Sequence, residues 1–519
     1  MIATLGELVV LAVGLGLAVR VAVKPPVRQE LAPLGPVAVA AGVAALGLMA
    51  IGTWAVLRWP ELLHLVAGAV VVGSIALWWR ARPTYGRRRG WPPGSLGIAA
   101  SIDAVGDRDF YRTQARRHGP VFKMSQFGRP VVCVVGLARG REILQGQGES
   151  LAGAPLPYNR FLPKGMLRYM TAEDHRREAA IFRSAFAGIG VTNAEAAARA
   201  GCRRILAELA AASSRAPEGV RVTDYWAEWA ADALARLLFG VEPGDPRGAR
   251  LDGARRQLEL ERTGGRRRRL HTESVFESAT ETLRELGREP VPGTALSGLL
   301  ATDPAAIDDP TRIRNLFLTY RLGTSDLTGL LDWVVAKLAA APEWADRVRR
   351  APRTPGPPNG SQPSDLASRI VLETLRMEQS EYLYRRIVRP ITIAGYAIPA
   401  GWLLRICVQE SHRDPAVFPD PDRFDPDRFV DRTYSRAEYA PFGIDTHGCL
   451  GVTMVHFLGR IFVEELCHGY QMRVTHDGAL ERGSRHRHHW RPSSVRRLVL
   501  VPNGAAGDEE APGYPAAAR

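Results

Sequence analysis

The chain has 519 residues, 46% of them hydrophobic, and a net charge of +14 carried mainly by arginine. That length allows one large domain with an accessory segment, or two to three ordinary domains, and the basic excess suits an acidic partner, nucleic acid or anionic lipid. Its five cysteines stand singly, which excludes a zinc ribbon, an iron–sulfur site and a disulfide framework and fits a reducing compartment.

Three apolar stretches open the chain, at about 5–23, 34–57 and 61–79. Each approaches or exceeds the roughly 20 residues needed to cross a bilayer. Arg20 can snorkel to the interface, and Trp54, Trp59, Trp78 and Trp79 fall near expected interfaces. A signal peptide would account for the first stretch but not the other two. Bases cluster after the first and third spans, at Lys24, Arg28, Arg80, Arg82, Arg87, Arg88 and Arg89. The positive-inside rule then predicts about three transmembrane helices within 1–82, the N-terminus outside and the rest of the chain in the cytoplasm.

A Pro/Gly/Arg hinge follows over 83–96. "RDFYRTQARRHG" reads as a short amphipathic helix, and "PVFKMSQFGRPVVCVVG" as a β-hairpin. Between 140 and 345 the pattern is helical, including "AEAAARAGCRRILAELAAA", "VTDYWAEWAADALARLLFG" and the long "RIRNLFLTYRLGTSDLTGLLDWVVAKLAAAP". "APRTPGPPNGSQPSD" reads as a surface loop, "LASRIVLETLRME" as a helix and "ITIAGYAIPAG" as short strands. The expected fold is mainly α with small β-sheets (α+β), one catalytic domain over 97–503, and a disordered polar tail over 504–519. Trp226 and Trp229 are expected in packing, while "RRRR" (266–269) and "RHRHHW" (485–490) read as solvated surface.

Neither G-x-G-x-x-G nor G-x-x-x-x-G-K-[ST] occurs, so the chain shows no sign of its own nicotinamide, flavin or nucleotide domain. Any electrons it uses come from elsewhere. The lone thiol of chemical interest is Cys449, in "APFGIDTHGCLG" ahead of an apolar helical run. Glycines let backbone amides approach a sulfur, and a helix N-terminus stabilises its negative charge. A single thiolate beside an apolar surface suits haem, whose porphyrin supplies four nitrogens. A buried structural cysteine next to a glycine turn is the alternative.

The neighbouring motifs decide between them. "FGIDTHGCLG" resembles the cysteine-ligand loop of the cytochrome P450 family, F-G-x-G-x-[HR]-x-C-x-G. Phe442, Gly443, His447, Cys449 and Gly451 match, and Asp445 replaces the second glycine. Earlier, "ETLR" supplies the family's E-x-x-R pair as Glu373 and Arg376, and "FDPDRF" supplies F-x-P-x-R-F with Arg428. Glu and Arg at i and i+3 share a helix face, and a second Arg from a coil can lock that helix against the loop. In this order and spacing the three motifs identify the chain as a member, bacterial-looking, with the resemblance running from about 92 to 503.

The resemblance implies haem b with Cys449 as proximal metal ligand. It implies His447 near a propionate, Arg386 pairing with one (Arg385 as fallback), and His175 on a helix that reaches another. Where many members carry Arg, four residues after His175, this chain has Ala179. In the long helix, oxygen-activating members show [AG]-G-x-[DE]-T, whose acid and alcohol hold water and deliver protons. One ungapped register puts Gly323 on the glycine, Ser325 on the acid and Asp326 on the alcohol. A shift by one puts Asp326 on the acid and Leu327 on the alcohol. The implied activity is a membrane-anchored haem-thiolate monooxygenase acting on a lipophilic small molecule, with O2 and a separate ferredoxin or flavoprotein donor and no nucleic-acid partner. A haem-thiolate isomerase, dehydratase or peroxygenase, and a non-catalytic haem-binding membrane protein, stay open. Asp445 predicts either a costly local turn or a differently tuned haem.

Overall fold

The computed structural model describes residues between 90 and 504, with breaks of which the longest are 154–161, 261–265, 354–364 and 483–489. The three expected spans, the polar tail, "RHRHHW" up to 489 and Asp445 lie outside the described residues. Among those described, no helix is long and apolar enough to cross a membrane.

Two compact units make up the chain. The first, ending at Val135 and including 386–407, is built on strands. β1 (Gly94–Ser95) runs parallel to β2 (Val121–Gln126), and β2 forms the expected hairpin with β3 (Arg129–Val135), pairing Val121 with Val134. Val131, Val132, Cys133 and Val134 are all buried, and helix α1 (Phe110–His118) packs against β2. The Tyr111 hydroxyl donates to Gln126 Oε1 at 3.0 Å, which ties α1 to the hairpin.

The second unit is helical and holds every residue that lines the cavity described below. Its helices are α2 (Leu137–Gly146), α3 (Ala172–Ala187), α4 (Glu195–Ser214), α5 (Thr223–Phe239), α6 (Pro246–Leu260), α7 (Arg266–Gly287) and α8 (Ala295–Thr302). They continue as α9 (Pro310–Ala340), α10 (Pro342–Arg350), α11 (Leu366–Glu378) and α12 (Val452–Gly469). β4 (Val220–Arg221), β9 (Tyr470–His476) and β10 (Arg497–Pro502) form a small antiparallel sheet in the order β9–β10–β4. β5 (Leu383–Ile387) follows α11 in sequence, and the first unit takes up the β6–β7 hairpin (Ile391–Ile393, Tyr396–Ile398) and β8 (Leu403–Cys407), which runs parallel to β3.

α9 spans 31 residues because apolar side chains recur on one face, among them Ile313, Leu316, Phe317, Leu327, Leu331, Val334 and Leu338. Pro310 stands at its first turn, and the Asp309 carboxylate accepts the Thr311 N–H at 2.8 Å. α11 packs against both α9 and α12. Gly459 makes that approach possible, since a Cβ there would sit 3.0 Å from Val371 Cγ2. Trp226 and Trp229 are core residues: Trp226 meets Phe462 edge-on at 4.9 Å, and the Trp229 indole N–H donates to Ala198 O at 3.1 Å. Arg199 joins α4 to α12 through Glu464 at 2.6 Å and Glu465 at 2.8 Å.

Candidate functional site

The loop 441–451 leads directly into α12, with Gly451 as that helix's N-cap. Gly443 turns the loop at φ +90°, a conformation that strains any side-chain-bearing residue. The Cys449 N–H donates to Phe442 O at 2.9 Å, which closes the turn. The Gly451 N–H donates to Cys449 Sγ at 3.3 Å, so a backbone amide at a helix start does face the sulfur. Of the five cysteines only Cys449 is exposed. Burial raises Cys202 well above the ordinary thiol range and pushes Cys467 up to about 12, so those two stay protonated. The buried-structural reading of Cys449 is therefore excluded.

Cys449 faces a cavity of about 250 Å³ walled by α3, α5, α9, α11, the cysteine loop and α12. Its walls are largely apolar: Leu234, Leu238, Leu330, Trp333, Met454 and Leu458 among them. Phe442, His447 and Gly451 also line it. Gly443 shapes the turn beneath it instead. One end carries cation-capable groups. His447 stacks on His175 with ring centres 3.7 Å apart and planes 14° from parallel. Burial, then the charges of Arg183 and Arg385, lower His175 to about 4.

His175, Ala179 and Arg183 follow one another at i, i+4 and i+8 on the cavity face of α3. Ala179 leaves room along that face, and a cation stands one turn beyond it, at Arg183. Nothing in the sequence pattern pointed to Arg183; helical spacing from His175 was the available signal. Of the two arginines on β5, Arg385 is 5% exposed and its charge reaches His175, whereas Arg386 is exposed. Neighbouring residues on a strand face opposite ways, so only one of the pair can point inward. The fallback arginine occupies the inward position.

On α9 the cavity face carries Asn315, Thr319, Leu322, Gly323, Asp326, Leu327, Leu330 and Trp333. Asp326 is exposed to it, and Ser325, half-buried, is not among its lining residues. Adjacent helical residues point about 100° apart, and here Asp326 falls on the cavity side while Ser325 falls off it. The hydroxyls of Thr324 and Thr328 are turned back into the helix, donating to Tyr320 O at 2.9 Å and Thr324 O at 2.8 Å. Asp326 is thus the one carboxylate that α9 presents to the cavity.

Glu378, the last residue of α11, also lines the cavity and forms an ion pair with Lys337 of α9 at 2.7 Å. Lys337 also lies 5.4 Å from the Trp333 ring. Sequence motifs did not flag this pair.

Behind the loop, Glu373 and Arg376 are completely buried. Arg376 Nε donates to Glu373 Oε2 at 2.7 Å and Nη2 to Oε1 at 2.8 Å, a two-pronged pair. Arg428 Nε reaches the same carboxylate at 3.0 Å, and the Asp425 N–H at 2.9 Å. The expected Glu–Arg–Arg cluster is assembled, with α11 as one side and the coil before the cysteine loop as the other.

The donor set is one exposed thiol, apolar walls and a cationic rim. Among the described residues no group of three His, Cys, Asp or Glu side chains could hold a metal. Haem supplies four nitrogens of its own and needs only the one thiolate from Cys449, and the two histidines and Arg385 suit the carboxylates at its edge. The residues fit that group.

The site's chemistry and the comparisons with known proteins point the same way. Residues 331–482 match the family model for cytochrome P450. Over that region the chain resembles cytochromes P450 in sequence, and its fold resembles theirs. Abscisic acid 8'-hydroxylase 3 of Oryza sativa is 25% identical over 434 residues, covering 74% of this chain and 81% of that one. Cytochrome P450 135B1 of Mycobacterium bovis is 30% identical over 167 residues, 31% of this chain and about 35% of that relative's length. Among solved structures, cyanobacterial CYP120A1 with bound retinoic acid aligns at a TM-score of 0.63 with 19% identity, over 79% of this chain and 99% of that one. A zebrafish cytochrome P450 solved with progesterone aligns at 0.61 with 18% identity, over 76% and 98%. The family match covers Glu373, Arg376, Arg428, His447 and Cys449; His175 and the α9 residues Gly323, Ser325 and Asp326 precede it.

Proposed function

We propose that this chain is a haem-thiolate monooxygenase that oxidises a lipophilic small molecule, with O2 and electrons from a separate ferredoxin or flavoprotein. The observation that carries the reading is the single exposed thiol of Cys449, braced by a glycine turn and a helix start, opening onto an apolar cavity. Haem b, held by Cys449, would supply the oxygen-activating redox chemistry. The cavity walls select an apolar substrate and exclude water from it. Asp326, which lines the cavity from α9, would hold and pass protons there. The names of two relatives, a hydroxylase of abscisic acid and an oxidase of ent-kaurenoic acid, support a lipid-like or natural-product substrate. The apolar stretches within 1–82 support attachment to the cell membrane with the catalytic unit on the cytoplasmic side.

A second reading is favoured by one observation, the absence of Ser325 from the cavity face beside Asp326. Without an acid–alcohol pair, the chain would act as an isomerase, dehydratase or peroxygenase that does not activate O2. Two measurements separate them. The reduced, CO-bound protein is expected to show a thiolate-type red-shifted Soret band that Cys449→Ser loses; an imidazole-type band in the parent overturns the haem-thiolate assignment. Product formed without reductant or O2 replaces the monooxygenase with the second reading.

A further inference from the structure

We propose that His412 is a positioning residue for the thiolate loop, tying the Glu373–Arg376 cluster to the start of the segment that presents Cys449. The proposal rests on the reading of Cys449 as a haem ligand. His412 follows the one-turn helix Val408–Ser411 and is completely buried. Its carbonyl accepts from Arg376 Nη1 at 2.8 Å. Its ring Nε2 accepts the Ala440 N–H at 3.0 Å. Ala440 is where the loop departs: its own carbonyl accepts the Gly443 N–H at 3.1 Å, and Phe442 O then accepts the Cys449 N–H at 2.9 Å. An unbroken series of hydrogen bonds and short backbone steps thus runs from the Glu373 carboxylate through Arg376, His412 and Ala440 to the turn that carries the thiol.

The chemistry of the ring makes this a fixed tie. Nε2 accepts, so the ring proton sits on Nδ1, a buried nitrogen with no hydrogen-bond partner among the described residues. Burial first, then the nearby Arg376 charge, lower His412 to about 3, so Nε2 keeps its lone pair for Ala440 at any ordinary pH. Ala440 is 4% exposed, and a buried backbone N–H without an acceptor is costly. If the ring acceptor is removed, the start of the loop must shift to find another. A second tie lies alongside: the Tyr439 hydroxyl donates to Leu372 O of α11 at 2.8 Å, and the Tyr439 ring lies 5.2 Å from the His412 ring. Groups that orient a metal's ligands typically change affinity or activity by about 10- to 100-fold when removed.

The test uses the full chain loaded with haem, in parent, His412→Phe and His412→Gln forms. Two quantities are read: the rate of haem transfer to excess apomyoglobin and the reduced CO-bound spectrum. His412→Phe is expected to release haem about 10- to 100-fold faster and to convert part of the thiolate-type band to a blue-shifted one. In His412→Gln the amide oxygen takes the place of Nε2, and both readouts are expected to stay parental. A phenylalanine variant indistinguishable from the parent overturns the proposal, as does a glutamine variant that loses haem as fast as the phenylalanine one. Should His412→Phe yield no folded protein, His412→Gln decides: parental haem retention supports the tie, and loss at unchanged helix content overturns it. A parent without a thiolate-type band sinks the functional reading itself, a different result from any of these.

Discussion

Asp326 and Ser325 are neighbours in sequence with opposite fates in the fold. The helix turns about 100° per residue, and that rotation leaves the carboxylate on the cavity and takes the hydroxyl off it. Asp326→Ala is expected to lower reductant-coupled product formation by about 100-fold at unchanged haem content, the lower end of what a positioned acid–base group contributes. Ser325→Ala is expected to leave the rate close to parental, and steady-state turnover with reconstituted redox partners reads both. The reverse pattern would return the proton-handling role to Ser325. A spacing argument could narrow the choice to these residues but could not orient them, because two registers of one helix differ by a single position. Arg385 and Arg386 pose the same problem on a strand, where alternation puts one inside and one in solvent. Asp445, which departs from the family loop, lies outside the described residues.

At the scale of elements, the clamp between α11 and the coil around Arg428 holds the cysteine loop from behind. Arg376 is completely buried and, besides Glu373, donates to the carbonyls of His412 and Pro421, both at 2.8 Å. Arg376→Met leaves a buried carboxylate with one fewer cation and two carbonyls without donors. Breaking such a pair typically costs about 3–5 kcal/mol. Arg428 lies at the edge of the cluster and makes one contact to Glu373, so Arg428→Met is expected to cost clearly less. Denaturant unfolding of the two variants checks the order. Equal costs would mean that the coil, rather than α11, carries the clamp. This cluster was legible in advance because its motifs are local, i and i+3 on one helix and a Pro-bounded turn. The stacking of His175 on His447 was not, since the two come from α3 and the cysteine loop and only packing brings them within 3.7 Å.

At the scale of the whole molecule, proton linkage gives a prediction for the haem-free protein. His412 is held near 3 in the fold against an ordinary value of 6.5. A depressed histidine means that the unfolded chain binds the proton first, so stability is undiminished above pH 6.5 and is lost as pH falls from there toward about 3. Between pH 6.5 and 4.5, before carboxylates titrate, this one site contributes a slope of about 1 kcal/mol per pH unit. His412→Gln is expected to flatten the slope by that amount in pH-dependent unfolding curves; an unchanged slope would show that the ring is not buried neutral. Removal of residues 1–82 is expected to move the chain from the membrane fraction to the soluble fraction, with haem binding retained. Continued membrane attachment would place the anchor elsewhere. What the residue order alone determined is what is written locally: apolar runs long enough for a bilayer, helix periodicity such as that of 366–378, and a cysteine loop whose ligand, glycines and bracing charges lie at fixed spacings. What only the tertiary structure decided is which side chains converge: Arg183 beyond Ala179, Arg385 inside and Arg386 outside, Asp326 alone on its face, Lys337 on Glu378, and His412 beneath Ala440. Local pattern follows from backbone geometry over a few residues, whereas convergence depends on how helices distant in sequence pack, and the packing is specified by the whole core at once.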